Sequence, residues 1–147
     1  MRNRISQRRL KHSKGAVFVE TGFVFVMFAF LLMGAFDFAQ FLFIHQALVD
    51  RARSAARWGA LSDPTNTSAI QNMVLYNQTT APIGATSGIF GLTSDMVQVS
   101  TQDTATSSDY RLIVSITNYP YEMISPIIGG THNGPNITIA FPIGATS

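Results

Sequence analysis

At 147 residues the chain has room for one ordinary domain, or for a small domain plus an anchor. Hydrophobic residues make up 46% and charged residues only 12%, and the formal charge of +2 hides a split: six of the ten Lys and Arg precede Gly15, while all eight Asp and Glu follow it, leaving a balance of −4 from Ala16 onward. The basic character therefore belongs to the first fourteen residues, which argues against nucleic-acid binding by the remainder, and the absence of cysteine excludes disulfides, thiol catalysis and the usual structural zinc sites.

Residues 1–14, with Arg2, Arg4, Arg8, Arg9, Lys11 and Lys14, lack apolar periodicity and read as a disordered cytoplasmic tail, the leader closing at residue 15. Ala16 to Phe36 follows, 21 residues whose only charge is Glu20. At 1.5 Å per residue this is roughly 31 Å of helix, matching a hydrocarbon core of about 30 Å. Without Glu20 the uncharged run would be too short to span comfortably, so the carboxylate belongs to the membrane segment. Positive residues before the span and none just after it place the N-terminus inside and the bulk of the chain outside. A secretory signal peptide fits poorly, because the apolar run is long and "LLMGAFDFAQ" offers no clean cleavage site. Arg8-Arg9 is a weak twin-arginine signal in so basic a tail.

Beyond Phe36 neither proline nor glycine interrupts the chain until Gly59, and Phe38, Phe41, Leu42, Ala52, Ala55 and Ala56 recur near helical spacing. One helix of about 45 residues is expected, half in lipid and half amphipathic, weakened at Gly59 and Asp63 and ended by Pro64. Ser68 and Gln71 form a capping-box pattern for a short second helix that presents Ile70, Met73 and Val74 on one face. Residues 77–94 read as loop. Strands follow at 96–100, at 109–119 with Tyr110, Leu112, Val114 and Ile116 on one face, and at 136–141 with Ile137, Ile139 and Phe141. "QDTATSSD" reads as a polar turn, and 119–135, with three prolines, as one long loop. Trp58 and the alanines at 52, 55 and 56 are expected to pack on Leu112, Val114 and Ile116, since such a sheet face left open would be a liability.

Catalysis finds little support. His12, His45 and His132 have no metal-ligand spacing, and no P-loop, G-x-S-x-G or G-x-G-x-x-G is present. An anchored hydrolase would have to draw on Asp95, Asp109, Glu122 and His132, which no spacing brings together. The chain is read as a non-enzyme without metal or cofactor. Gly129-Gly130 reads as turn punctuation, and the Asn-x-Ser/Thr triplets at Asn66, Asn77 and Asn136 carry little weight in so Asn- and Thr-rich a chain.

Glu20 is the informative residue. A carboxylate at the centre of a span costs roughly 2.5–3.5 kcal/mol, and less near the interface. Two readings remain open: Glu20 snorkels toward the headgroups, or, if the chain is cut between Gly15 and Ala16, it pairs with the amine exposed on Ala16 of a neighbouring helix. "KGAVFVE", the phenylalanine-rich span, Asp37-Phe38, "RARSAARWGA" from Arg51 to Ala60 and the Tyr-Pro-Tyr at 119–121 together resemble the TadE family of tight-adherence pilus assembly proteins. Thr21 departs from the aromatic common after the glutamate in pilins of this system. The resemblance implies a pilin-like or pseudopilin subunit of a bacterial tight-adherence system, processed by a prepilin peptidase and partnered by other pilin subunits in the inner membrane.

The expected fold is α+β and type IV pilin-like: a basic cytoplasmic leader over 1–15, a transmembrane helix over 16–36, its amphipathic continuation over 37–62, and an extracytoplasmic α+β domain over 63–147 with a small antiparallel sheet. Gly22, Ala29, Gly34 and Ala35 would allow close approach of helices in lipid. The expected role is structural, as a minor pilin or pseudopilin. The alternative is a bitopic envelope protein whose outer domain binds a partner without entering a filament.

Overall fold

The computed structural model describes residues 11–103, 109–125 and 129–143, with only the backbone of 11–14. The basic residues of 1–10 and most of the polar turn at 104–108 lie outside the described residues. A single helix, α1, runs Lys11–Leu61, 51 residues without a break. It begins earlier than expected. Residues 11–14, read as irregular tail, are helical, because a long apolar helix propagates backward cheaply through a stretch free of proline.

Only the C-terminal half of α1 is packed. Its buried stripe passes through Asp37, Ile44, Leu48, Ala52, Ala55, Ala56 and Gly59, with Phe41 half-buried on the same line. Phe38 and Leu42, expected on the apolar face, are instead exposed, since one residue is about 100° of helix and each sits one position off the stripe. Ile44 and Leu48 supply the burial in their place.

After Leu61 the chain reverses. Asp63 accepts from the backbone N–H and hydroxyl of Thr65, at 2.9 and 2.6 Å, which holds its carboxyl below the ordinary 3.8. Helix α2 (Thr67–Tyr76) packs on α1 through Ile70 and Val74, with Leu75 also buried and Met73 half-buried. Its N-cap is Asn66, whose side chain accepts from Ala69 N at 3.1 Å, and not Ser68. Gln71, the other half of the expected capping box, donates instead to Val97 O at 2.8 Å and ties α2 to the first strand. Asn77 closes the helix in the left-handed conformation at φ 59°. Two of the three glycosylation-type asparagines are thus the caps of α2.

Strands β1 (Val97–Gln102), β2 (Arg111–Ile116) and β5 (Ile137–Pro142) form a three-stranded antiparallel sheet with β2 in the middle. Val114 pairs with Val99 on one side and Ile139 on the other. Leu112, Val114 and Ile116 are fully buried and join Ala52, Ala55 and Ala56 in one core, with Trp58 packed half-buried against it. The segment expected to be one long loop holds a second antiparallel pair, β3 (Pro120–Met123) with β4 (Gly130–Asn133). Its proline stands at the first residue of β3, where a missing N–H costs no ladder bond. The molecule is an α+β fold in the pilin-like form, a long N-terminal apolar helix carrying a small antiparallel sheet domain.

Gly59 corrects a further expectation. Read as a weak point of the helix, it is a close-approach position: a Cβ there would come within 2.7 Å of Ile70 Cδ1 and 2.8 Å of Leu112 Cδ2. Its missing side chain lets α1 touch α2 and β2 at once.

Candidate functional site

Among the described residues, the N-terminal half of α1 is exposed on nearly every side, Ala29 alone being partly covered. Val17, Phe18, Phe23, Phe25 and Leu31 all lie open, which follows from a sequence apolar around the whole circumference with no partner element among the described residues. Gly15, Ala16, Val19, Glu20 and Phe23 line one open surface, so Ala16 and Glu20 sit one turn apart on a shared face. Glu20 is exposed. Thr21 turns its hydroxyl back along the helix to Val17 O at 2.9 Å, which satisfies a polar group that lipid would not.

A Cβ built on Gly15, Gly22 or Gly34 would meet nothing within 4 Å. Among the described residues these glycines therefore have no packing task. Gly22 and Ala29 are seven residues apart, close to two turns, and share one side; Gly34 falls nearer the side of Glu20. Ala29 is partly covered and Ala35 exposed.

The junction between span and domain holds a residue that sequence reasoning treated only as part of a family pattern. Asp37 is 7% exposed, and its two carboxylate oxygens accept from the backbone of the segment after β3: Oδ1 from Ile124 N at 2.7 Å, and Oδ2 from Ser125 N at 3.0 Å. The helix thereby holds the end of β3 at the C-terminal end of its long apolar run. The available signal was the buried stripe itself, which, extended one turn back from Phe41, lands on Asp37.

Beside this latch runs a groove of about 420 Å³ between Phe30, Gly34, Phe38 and Phe41 of α1 and Tyr121 and Met123 of β3. Above it the aromatic residues interlock. Phe41 lies 5.0 Å from Tyr121 and 6.0 Å from His45, and Tyr121 lies 5.7 Å from His132 across the β3–β4 pair. The Tyr119 hydroxyl and His45 Nδ1 are 2.8 Å apart, a hydrogen bond whose direction follows the imidazole tautomer. Tyr119 is fully buried, and that burial, with Tyr121 nearby as the lesser cause, pushes its phenol above the ordinary 10.0. A Cβ on Gly134 would fall inside the Tyr119 ring, so the glycine makes room for it. His45 and His132 thus pack in an aromatic cluster that fastens the hairpin to the helix.

Comparison with known proteins returns one finding. The family model described as TadE-like protein matches residues 15–57, the stretch from Gly15 through the span and Asp37 into the arginine- and alanine-rich turn of α1. The resemblance seen in the sequence thus coincides with the family match over this segment. No curated protein and no solved structure matches the chain.

Proposed function

We propose that this chain is a structural minor pilin or pseudopilin that takes part in assembling a bacterial tight-adherence pilus, anchored in the inner membrane with its N-terminus cytoplasmic and its sheet domain outside. The observation that carries this reading is the division of α1. Residues 15–36 are exposed apart from the partly covered Ala29, while the same unbroken helix from Asp37 onward is the core of a folded domain. A helix built this way can pack with its own kind in lipid while its domain stays in water, and the match to the TadE-like family over 15–57 supports that use.

In this reading Gly15 and Ala16 form the processing junction for a prepilin peptidase, and Glu20 pairs with the amine released on Ala16 of a neighbouring subunit. Gly22, Ala29, Gly34 and Ala35 let helices approach. The test joins mass spectrometry of the mature N-terminus to a pilus assay. Gly15→Leu is expected to block cutting and leave a longer, membrane-held chain. Glu20→Gln is expected to keep the anchor, since losing a charge lowers the insertion cost, but to lose pili. An uncut native chain with normal pili from Glu20→Gln would overturn the pairing and favour the non-filament alternative, an envelope protein with an outer binding domain. An alkaline phosphatase fused after Ser147 should be active.

A further inference from the structure

We infer that the sheet domain does not stand clear of the membrane but rests in it, with Ile124 and the ring of apolar residues around Asp37 seated at the boundary between headgroups and acyl chains. This rests on the reading of residues 16–36 as a membrane span. The first observation is one of length. Large apolar side chains are exposed along α1 without a long gap from Val17 to Phe43, and then not again until Leu61. That band is roughly 40 Å of helix, longer than a hydrocarbon core of about 30 Å but equal to a whole bilayer with its interfacial layers, about 40–45 Å.

The second observation concerns direction. Phe36, Phe38, Leu42 and Phe43 are between 47% and 70% exposed, and at about 100° per residue they fall on several sides of the helix, the remaining side being covered by the domain. A second protein chain seated on one face would not account for this ring. A surrounding fluid does.

The third observation is the segment after β3. Ile124 is 73% exposed and overhangs a groove of about 390 Å³ whose other walls include Met33 and Phe36, residues of the span itself. Irregular backbone at this depth is tolerated only where its polar groups are satisfied within the protein. The Ile124 and Ser125 amides are satisfied by Asp37. Asp37 therefore lets a non-helical segment sit against lipid, and the segment in turn screens the carboxylate.

The experiment uses the full chain in nanodiscs of phosphatidylethanolamine and phosphatidylglycerol. The protein has no cysteine, so Ile124→Cys, Leu31→Cys and Leu61→Cys can each carry one environment-sensitive fluorophore. Leu31 marks mid-span and Leu61 the far end of α1. Quenching by a lipid-borne nitroxide and by aqueous iodide is read for each. The expected result is strong lipid quenching at Ile124→Cys, with iodide quenching several-fold weaker than at Leu61→Cys. If Leu31→Cys is lipid-quenched while Ile124→Cys responds to iodide as Leu61→Cys does, the seating is wrong and the span stands. If Leu31→Cys escapes lipid quenching, the span reading falls and takes the inference with it. Shielding at Ile124→Cys from both quenchers that deepens with the protein-to-lipid ratio would give the groove to a second copy and overturn the assignment to lipid.

Discussion

Replacing Asp37 with alanine removes the acceptor for two backbone amides at once, and the two are not equally placed. The Ile124 amide belongs to an exposed residue at the membrane boundary, where headgroup water can replace part of the bond, whereas Ser125 is buried, so its amide loses a charge-assisted bond away from water. A hydrogen bond to a charged group is worth about 1.5–3 kcal/mol. Two such bonds, less the rehydration of one and less the few tenths gained by placing alanine in a helix, leave a net loss of about 2–3 kcal/mol. The loss should be local, because the core of β2, α1 and α2 does not include this segment. At 1.4 kcal/mol per factor of ten, amide exchange at Ile124 and Ser125 should accelerate roughly 30- to 150-fold in Asp37→Ala. Amides of β2 should hold their protection. Hydrogen exchange read by mass spectrometry on the full chain in micelles measures both, and Asp37→Asn, which keeps one acceptor oxygen, should fall between. Unchanged exchange at Ile124 and Ser125 in Asp37→Ala would refute the latch.

Two further outcomes follow from the packing. Gly59→Val should destabilise the fold by about 2–3 kcal/mol in denaturant titration, through overpacking against Ile70 and Leu112, whereas Gly34→Ala should leave the same transition unmoved and act, if at all, on assembly. Tyr119→Phe should cost about 1 kcal/mol near neutral pH through loss of the hydroxyl partnered with His45 Nδ1. It should also change the alkaline limb. Because the folded phenol is raised above its unfolded value near 10.0, its contribution is fully present below that value and is lost as pH rises through the folded pKa. The native chain should therefore weaken above about pH 10, and Tyr119→Phe should lack that component; an alkaline limb identical in both proteins would show that Tyr119 does not report the burial.

Much of the architecture was legible in order along the chain. The apolar run with its single carboxylate, the absence of proline up to Pro64 and the alternation of Leu112, Val114 and Ile116 each determined an element, because helix and strand periodicities are local properties written in consecutive residues. The pairing of the alanine face of α1 with the sheet was also within reach, since both surfaces are apolar and each needs a cover. What the sequence alone did not determine are the contacts between distant residues. Asp37 meets Ile124 and Ser125 across 87 and 88 positions, and no local pattern reports an acceptor whose donors are backbone amides. Gly59 reads as a helix weakness until α2 and β2 are brought against it. Phe38 and Phe41 look equivalent in sequence, yet one faces outward and the other the aromatic cluster, because about 60° of helix rotation separates them and only the seated domain fixes which side of the helix is inside. Even Asn66 displaces Ser68 as the cap for this reason: the turn at Asp63 sets where α2 begins, and that turn is placed by the reversal of the whole chain over α1.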